Sequence, residues 1–362
     1  MKICILLPDL RGGGAERVSL DLGHAFAAMG HEVDFALMQR SGDFLAEAEA
    51  AFSVTDLAVP RARQVLFKLT AYLRESRPDV VVAAMWPLTV IAPLALRLSG
   101  HRCRVVISEH GMLSAQYEAW GWAHRLILRG SSWLGYRLAD ARVGVSAGVA
   151  KDMARLSGMA PSRIVAIYNP LRRLAPPGDV QVTAAEALWN SRGPRILTVG
   201  SLKTVKNHAL LLRAFARVPV AQARLMIVGQ GPEEGRLRAL VADLGLGERV
   251  IFAGFQADPA AVYATADLFV LSSDREGFGN VLVEALSFGL PVVSTDCPAG
   301  PAEILGNGRW GHLVPVRDEQ ALAQAMTAAL SAPVDRDALK ARAAEFAPDI
   351  AARKYLDLVG LT

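Results

Sequence analysis

The chain has little of what disulfide-rich or metal-binding proteins contain. Its 3 cysteines (Cys4, Cys103 and Cys297) are scattered, with no C-x-x-C pair and no histidine at metal-ligand spacing. We therefore expect reduced thiols and no zinc site. The net charge of +4 is too small to indicate nucleic-acid binding by itself. A length of 362 residues with 52% hydrophobic and 20% charged residues suits a globular protein of two domains.

Long uninterrupted hydrophobic runs are also missing. The uncharged stretch 80–96 approaches the length of a membrane span, but Pro87 and Pro93 interrupt it. We predict a buried strand, a loop and a helix there. The chain begins with a strand-like run, 2–7, in place of an export signal, so we expect a cytoplasmic protein.

The common nucleotide-binding fingerprints are absent as well. A Rossmann G-x-G-x-x-G would need glycine at Arg17, and no G-x-x-x-x-G-K-[ST] occurs. A dinucleotide-dependent oxidoreductase stays open as an alternative, because Asp34 follows Gly12 at about the distance of a ribose-binding acid. The failed fingerprint argues against that alternative.

What the chain does have is a regular alternation of short apolar runs with longer helix-like segments. This alternation is typical of βαβ units and predicts parallel sheets. The predicted strands are residues 3–7, 33–38, 54–59, 80–84, 105–108, 143–146, 165–168, 196–200, 225–229, 250–253, 268–272, 292–295 and 312–315.

The alternation fails between residues 172 and 194, where Pro176-Pro-Gly178 occurs. We therefore predict a linker over 172–194 between two doubly wound α/β domains. The first domain covers residues 1–171, with the C-terminal helix 346–362 as a candidate addition, and the second covers 195–345.

Candidate ligand-binding residues follow predicted strands, as expected for parallel sheets. Gly12, Gly13 and Gly14 precede the first helix, where backbone amides and the helix N-terminus favour an anion, and a tight turn is the alternative. Lys203 and Lys206 follow another strand and could neutralise a diphosphate.

The strongest pattern lies in residues 272–284. Glu276 stands in a loop and Glu284 follows just over two helical turns later, with Gly277 and Gly279 between them. Two carboxylates beside helix-terminal amides can bind the hydroxyls of a ribose and a hexose. The alternative is that Glu284 belongs to a solvated helix face.

Together these motifs resemble the retaining glycosyltransferases of family 4, which have the GT-B fold. The segment Glu276-Gly-Phe-Gly-Asn-Val-Leu-Val-Glu284 fits the family's Glu, seven residues, Glu motif. The resemblance also includes Gly12-Gly-Gly-Ala-Glu-Arg17, Glu109-His-Gly111, Val145-Ser146, Tyr168-Asn-Pro170 and Val228-Gly-Gln-Gly-Pro232. It implies two Rossmann-like parallel-sheet domains facing each other across a cleft.

The resemblance also implies site residues. Lys206 would bind the donor diphosphate, Glu284 the ribose, and Glu276 the hydroxyls of the transferred sugar, with His110 beneath that sugar. Further donor-binding groups would be Gly13 and Gly14 (or the acceptor side for these two), the turn Phe255-Gln256, and the amides of Gly277, Phe278, Gly279 and Asn280.

The sequence departs from the family at one position, because Ser201 stands where the family often has arginine. Lys203 is the candidate replacement. Lysine and helix-terminal amides stabilise the leaving group, so we expect no metal or other cofactor. Asp274-Arg-Glu276 resembles an acid-x-acid metal triplet, but Glu276 already has a role.

The resemblance implies transfer with retention from a nucleotide-sugar. The loop Asp296-Cys-Pro-Ala-Gly-Pro-Ala-Glu-Ile304 looks like that of enzymes of bacterial surface-glycan synthesis, which favours UDP-hexose or UDP-N-acetylhexosamine and a glycan acceptor carried on polyprenol. The alternatives are a UDP-GlcNAc 2-epimerase, an inverting transferase of the same fold, and a non-catalytic sugar-nucleotide-binding protein.

Residues 97–173 contain 12 Lys or Arg and 4 Asp or Glu, and three tryptophans, Trp120, Trp122 and Trp133, alternate there with arginines. Cations beside tryptophan suit anionic headgroups, so we expect a peripheral protein on the cytoplasmic face of the inner membrane. The alternative is that these tryptophans belong to the core. No nucleic-acid recognition motif accompanies the segment.

Overall fold

The computed structural model describes residues 1–171 and 174–360, apart from the side chain of Arg63. The chain forms two compact units. One comprises Met1–Arg172 together with Phe346–Thr362, and the other comprises Arg173–Glu345.

Each unit contains a parallel sheet. The sheet of the first unit has 7 strands in the order β3-β2-β1-β4-β5-β6-β7, and that of the second has 6 in the order β10-β9-β8-β11-β12-β13. The strands are β1 Lys2–Leu7, β2 Glu32–Leu37, β3 Ser53–Asp56, β4 Val80–Ala84, β5 Arg104–Glu109, β6 Ala141–Gly144, β7 Val165–Ala166, β8 Arg195–Val199, β9 Arg224–Val228, β10 Val250–Gly254, β11 Leu268–Leu271, β12 Val292–Thr295 and β13 His312–Val314.

Helices connect successive strands, as the alternation predicts. They are α1 Gly14–Ala28, α2 Leu45–Ala51, α3 Ala62–Ser76, α4 Leu88–Ser99, α5 Leu113–Gln116, α6 Gly121–Leu138, α7 Ala147–Ser157, α8 Asp179–Trp189, α9 His208–Ala216, α10 Glu234–Asp243, α11 Ala260–Ala264, α12 Asn280–Ser287, α13 Pro301–Ile304, α14 Glu319–Ser331, α15 Arg336–Ala344 and α16 Pro348–Asp357.

Helices on both faces of each sheet explain why the central strands are continuous apolar runs. All 5 residues of β4 and all 4 of β11 are buried. Parallel strands covered on both sides need apolar side chains at every position rather than at alternate ones. The predictions of two doubly wound units and of each strand are confirmed, with shifts of at most three residues at the ends.

The stretch 80–96 forms β4, a loop and the beginning of α4, with Pro93 inside that helix. The prediction made for it is confirmed. Within the part of the chain that the structure describes, every helix falls short of the length and apolar composition that a bilayer crossing requires.

The predicted linker is wrong for much of its length, because Asp179–Trp189 forms α8 within the second unit. Ala185 and Trp189 lie one turn apart and are buried, and Trp189 Nε1 donates to Thr265 Oγ1 at 2.9 Å. This buried hydrogen bond attaches α8 to the sheet domain. Arg172 and Arg173, which belong to the predicted linker and to the basic segment, lie outside the described residues.

The C-terminal helix α16 belongs to the first unit, where it packs against α1. Tyr355 and Leu356 are each 5% exposed and join the core cluster of that unit. The ring of Tyr355 meets that of Phe26 of α1 edge-on, with centroids 6.5 Å apart.

Candidate active site

The strand order reverses beside β1 in the first sheet and beside β8 in the second. At such a switch point the two connecting helices lie on opposite faces, which leaves a crevice outside the carboxyl ends of the strands. The relevant loops follow β1 and β4 in the first unit and β8 and β11 in the second. Most of the predicted site residues stand in these loops.

Lys206 and Glu276 meet at the switch point of the second unit. Lys206 Nζ donates to Glu276 Oε1 at 2.7 Å, and Ser273 Oγ donates to the same oxygen at 2.6 Å. The side chain of Glu276 is 9% exposed and that of Lys206 is 23% exposed. The two sequence-predicted charges therefore form one partly buried pair.

Asp274 ties the Lys206 turn to the Glu276 loop. Its amide donates to Val205 O at 2.8 Å, and its Oδ1 accepts from Asn207 Nδ2 at 2.9 Å. Its Oδ2 accepts from Arg317 Nη2 at 2.9 Å. Asn207 has a left-handed backbone, with φ of 46°, and caps α9 through the Leu210 amide. The carboxylate thus holds the end of the lysine turn in place.

In the triplet Asp274-Arg-Glu276, which resembles a metal-binding sequence, both carboxylate oxygens of Asp274 are thus engaged within the protein. Asp274 faces an amide and a guanidinium, and Glu276 faces Lys206. Among the residues that the structure describes, we find no group of three or more His, Cys, Asp or Glu side chains that could hold a metal ion.

Glu284 does not lie on a solvated helix face, which corrects that alternative. The Tyr263 hydroxyl donates to Glu284 Oε2 at 2.7 Å. Tyr263 is fully buried and stacks on Phe288 with centroids 5.6 Å apart. Burial, and then the neighbouring Glu284, raise the pKa of Tyr263 well above its ordinary value. A neutral hydroxyl therefore orients this carboxylate.

The segment between the two glutamates is held by close backbone packing. Gly279 has φ of 98° and precedes α12. Phe278 is 2% exposed, so its ring belongs to the core rather than to a ligand-binding surface. A Cβ on Gly300 would lie 1.7 Å from Phe278 O, so only glycine permits this approach.

The remaining predicted donor residues of this unit lie in loops at the same sheet edge. Lys203 is exposed, and Ser201 O accepts from the Lys203 amide at 2.8 Å. Phe255 is 50% exposed, and Gln256 Nε2 donates to Ala253 O at 3.0 Å. The turn 229–231 is structural, because a Cβ on Gly229 would lie 2.0 Å from Gly200 O.

In the first unit, the glycine loop follows β1 and leads into α1. Gly13 is the N-cap of α1 with an extended backbone, and Gly14 is its first residue. Gly12 has φ of 84°, a conformation that favours glycine, so the backbone alone explains why this position is glycine. Arg17, which breaks the dinucleotide fingerprint, donates to Glu47 of α2 at 2.7 Å and thereby fastens α2 to α1.

His110 follows directly on β5. Its Nε2 lies 3.4 Å from Ser108 Oγ, and its buried Nδ1 has no hydrogen-bond partner in the described part of the chain. Burial lowers the pKa of the imidazole to about 4, so His110 is neutral at pH 7.

Glu109, next to His110, is a buried acid to which the sequence alone assigned no role. It is 1% exposed and accepts from Thr89 Oγ1 at 2.6 Å, Tyr136 OH at 2.9 Å and the Trp86 amide at 3.1 Å. Burial raises the pKa of Glu109 to about 7, against the lowering effect of these donors. The available signal was an acid at the end of an apolar strand next to His110.

Helix α6 packs on α4 and α7 and presents an aromatic and basic outer face. Trp120, just before the helix, is 54% exposed, and Trp122 and Trp133 are 76% and 54% exposed. The interpretation of these tryptophans as core residues is therefore wrong. Arg125 and Arg129 are exposed beside them.

Asp34 does not occupy the position that a dinucleotide-binding acid needs. It lies in the middle of β2, opposite Cys4 of β1, rather than at the carboxyl end of a strand. Its side chain is 8% exposed and pairs with Lys2 at 2.8 Å. The oxidoreductase alternative loses its remaining support.

A switch-point site with a lysine and two carboxylates, two α/β units and a returning C-terminal helix are the features that the resemblance to GT-B transferases implies. The family model described as Glycosyltransferase Family 4 matches residues 12–172, and the one described as Glycosyl transferases group 1 matches residues 180–346. The chain belongs to the family 4 glycosyltransferases of the GT-B fold and is a glycosyltransferase enzyme.

Two curated relatives are informative. An N-acetylgalactosamine-N,N'-diacetylbacillosaminyl-diphospho-undecaprenol 4-alpha-N-acetylgalactosaminyltransferase of Campylobacter jejuni is 32% identical over 252 residues, which cover 69% of this chain and 67% of the relative. The lipopolysaccharide core biosynthesis glycosyltransferase LpsE of Rhizobium meliloti is 28% identical over 322 residues, covering 87% and 85%.

Among solved structures, Anabaena HepE in complex with UDP superposes with a TM-score of 0.85 over 100% of both chains at 22% identity. At that identity the likeness establishes the fold.

Proposed function

We propose that this glycosyltransferase moves a hexose or N-acetylhexosamine from a UDP-sugar to a lipid-linked glycan, with retention of anomeric configuration, in bacterial surface polysaccharide synthesis. The observation that carries the proposal is the 2.7 Å contact of Lys206 Nζ with Glu276 Oε1 at the switch point of the second unit. Glu284 follows on the helix that begins beside it.

The charges of this site match those that develop during transfer. Negative charge grows on the diphosphate oxygen as its bond to the anomeric carbon breaks, and positive charge grows on the sugar ring. Lys206 has three N–H donors, so its bond to Glu276 leaves others for phosphate oxygens. Amides at the start of α12 add to this stabilisation, which makes a divalent ion unnecessary.

The carboxylates serve the two ends of the donor. In our proposal Glu284 accepts hydrogen bonds from the ribose hydroxyls, and Glu276 from hydroxyls of the transferred sugar. The acceptor hydroxyl forms the new bond to the anomeric carbon, and its proton passes to the departing phosphate oxygen. His110 lies beneath the sugar, and the turn at Phe255 and Gln256 holds the base.

The relatives support the choice of donor and acceptor. The solved Anabaena protein is in complex with UDP. The Campylobacter enzyme is named for a diphospho-undecaprenol acceptor, and the Rhizobium enzyme for lipopolysaccharide core synthesis.

The surface of α6 supports presentation of the acceptor at the cytoplasmic leaflet of the inner membrane. Its outer face combines exposed tryptophans with Leu126 and Ile127, which are 61% and 58% exposed. Arg125 and Arg129 stand among them, and each cation near an anionic surface contributes about 1 kcal/mol. Tryptophan with arginine suits the headgroup region.

A panel of nucleotide sugars tests the donor. UDP-hexose or UDP-N-acetylhexosamine should give the largest thermal shift and the fastest hydrolysis, and the transferred sugar should keep its anomeric configuration by proton NMR. An inverted product, or a sugar released as its C2 epimer, would contradict the proposal.

Sedimentation with vesicles tests the membrane surface. Binding to phosphatidylglycerol vesicles should exceed binding to neutral ones, weaken with salt, and drop in Arg125→Glu with Arg129→Glu. In the matched control, glutamate replaces Arg236 and Arg238 of α10, whose side chains are also exposed. Equal losses in both double variants, or indifference to lipid charge, would favour a soluble acceptor.

A further inference from the structure

The C-terminal helix reaches the histidine of the first unit through a buried hydroxyl pair. Tyr355 OH of α16 lies 2.9 Å from Ser108 Oγ of β5, and that oxygen lies 3.4 Å from His110 Nε2. Tyr355 is 5% exposed and Ser108 is 1% exposed, so water does not compete for these contacts. Residues 247 positions apart in sequence thus meet behind the imidazole.

The Tyr355 hydroxyl, the last group of this chain, decides which groups donate and which accept. Tyr355 OH has Ser108 Oγ as its hydrogen-bond partner among the described residues. If Ser108 donated to Tyr355, the phenolic proton would be buried without an acceptor, which costs about 1–3 kcal/mol. Tyr355 therefore donates to Ser108.

Because Ser108 Oγ accepts the hydrogen bond from Tyr355, the Ser108 hydroxyl hydrogen is free to point at His110 Nε2. A neutral imidazole carries one proton, and the nitrogen that accepts a hydrogen bond is the one without it. Nε2 is then the acceptor, and Nδ1 carries the hydrogen. Nδ1 is also the ring nitrogen that the described residues leave without a partner.

We propose that Tyr355 is a positioning residue of the active site, which acts through Ser108 to hold His110 as the Nδ1–H tautomer and thus as a hydrogen-bond donor toward the transferred sugar. This inference rests on the proposed function for the sugar contact, whereas the tautomer itself is a property of the first unit alone. The C-terminal helix then supplies catalytic geometry as well as core packing.

The tautomer is measurable by NMR on protein labelled with ¹⁵N-histidine. The chain has 7 histidines, and His110→Asn identifies the signal of His110 by its loss. Two-bond ¹H–¹⁵N correlations should show Nδ1 protonated in the wild type. Tyr355→Phe and Ser108→Ala should each convert this pattern to a mixture or to the Nε2–H form.

Tyr72→Phe is the matched control, since it removes another hydroxyl of the first unit that touches neither residue. It should leave the His110 pattern unchanged. An Nε2–H wild type, or a Tyr355→Phe variant with unaltered His110 signals, would overturn the proposal. Ser108→Ala decides the matter if Tyr355→Phe does not fold.

Kinetics separate this inference from the proposed function. Tyr355→Phe should lower kcat about three- to tenfold with little change in donor KM, as expected for a lost neutral hydrogen bond that orients a catalytic group. Full activity in His110→Ala would instead refute the role of His110 in transfer, and would leave the NMR result on the tautomer standing.

Discussion

At the switch point of the second unit, the carboxylate of Glu276 lies 2.7 Å from the cation of Lys206. In the first unit, Glu109 is the last residue of β5. Its carboxyl group accepts hydrogen bonds from uncharged groups only: the hydroxyls of Thr89 and Tyr136 and the Trp86 amide. One topology therefore carries two kinds of polar site. The second is suited to a charged leaving group, and the first to the orientation of neutral groups.

The largest effect should come from removal of the cation of the second unit. Lys206→Ala should lower kcat/KM by about 10²–10³-fold, as for other losses of a donor to a developing anion. Lys203→Ala is the companion variant, because Lys203 is exposed in the same loop and is the candidate replacement for the family arginine. A loss in Lys203→Ala of the same size would show that Lys203 replaces the family arginine, whereas wild-type kinetics in Lys206→Ala would refute the site.

For the first unit, we expect a folding stability that depends on the ionisation of Glu109 and therefore on pH. Its buried Glu109 has a pKa of about 7, against an ordinary value of 4.5. Between these values the unfolded chain is ionised and the folded one is protonated, so this group makes stability fall as pH rises from 4.5 to 7. The shift corresponds to about 3 kcal/mol as an upper bound.

Urea unfolding at a series of pH values tests this behaviour in Glu109→Gln, which cannot titrate. The stability of the wild type relative to the variant should be greatest at pH 4.5 and smallest above pH 7. Burial lowers the pKa values of His110 and His208 to about 4, so these two groups make stability rise with pH. Both proteins contain them, so the difference in stability between wild type and variant cancels their contribution. A difference that is flat with pH would contradict the buried, uncharged surroundings of Glu109.

This contrast shows what local pattern can predict. Lys206, Glu276 and Glu284 are predicted site residues because they stand in strand-end loops, or in the helix that follows one, at motif spacing, and their charges are visible in the sequence. The contacts of Asp274 with Arg317, and of Ser108 with Tyr355, join residues 43 and 247 positions apart. Such partners depend on how helices return to the sheet, which periodicity does not encode.

The same limit explains the errors in organisation. Pro176-Pro-Gly178 lies in a non-helical segment, as a linker would. However, α8 begins at the next residue, Asp179, so the linker does not extend to residue 194. Its polar, alanine-rich sequence has a weak apolar face, and the hydrogen bond of Trp189 to Thr265 stabilises its packing. The strands were predicted well because burial on both faces leaves an unbroken apolar run.

Within the second unit, the two glutamates should be separable by kinetics. Glu284→Gln should raise donor KM, because Glu284 is assigned to the ribose, and Glu276→Gln should mainly lower kcat. Each loses a charged hydrogen bond worth roughly 1.5–3 kcal/mol, or about ten- to a hundredfold. Initial rates over donor concentration distinguish the two, and identical kinetic changes in both variants would refute the division of roles.

The smallest effect should come from Asp274, whose carboxylate holds the lysine turn without contacting Lys206 Nζ. Asp274→Asn weakens the contacts to Asn207 and Arg317, so we expect donor KM to rise about three- to tenfold. Asp335→Asn, which alters the N-cap of α15 in the same unit, should leave the donor KM unchanged.

EDTA should leave both the wild type and Asp274→Asn at their own rates, because in the proposed mechanism Lys206 and the amides of α12 stabilise the leaving group without a metal. Loss of wild-type activity in EDTA, restored by Mn²⁺ and absent from Asp274→Asn, would instead make Asp274 a metal ligand. The second unit would then neutralise the leaving diphosphate with a bound cation as well as Lys206, and the contrast with the first unit would be larger.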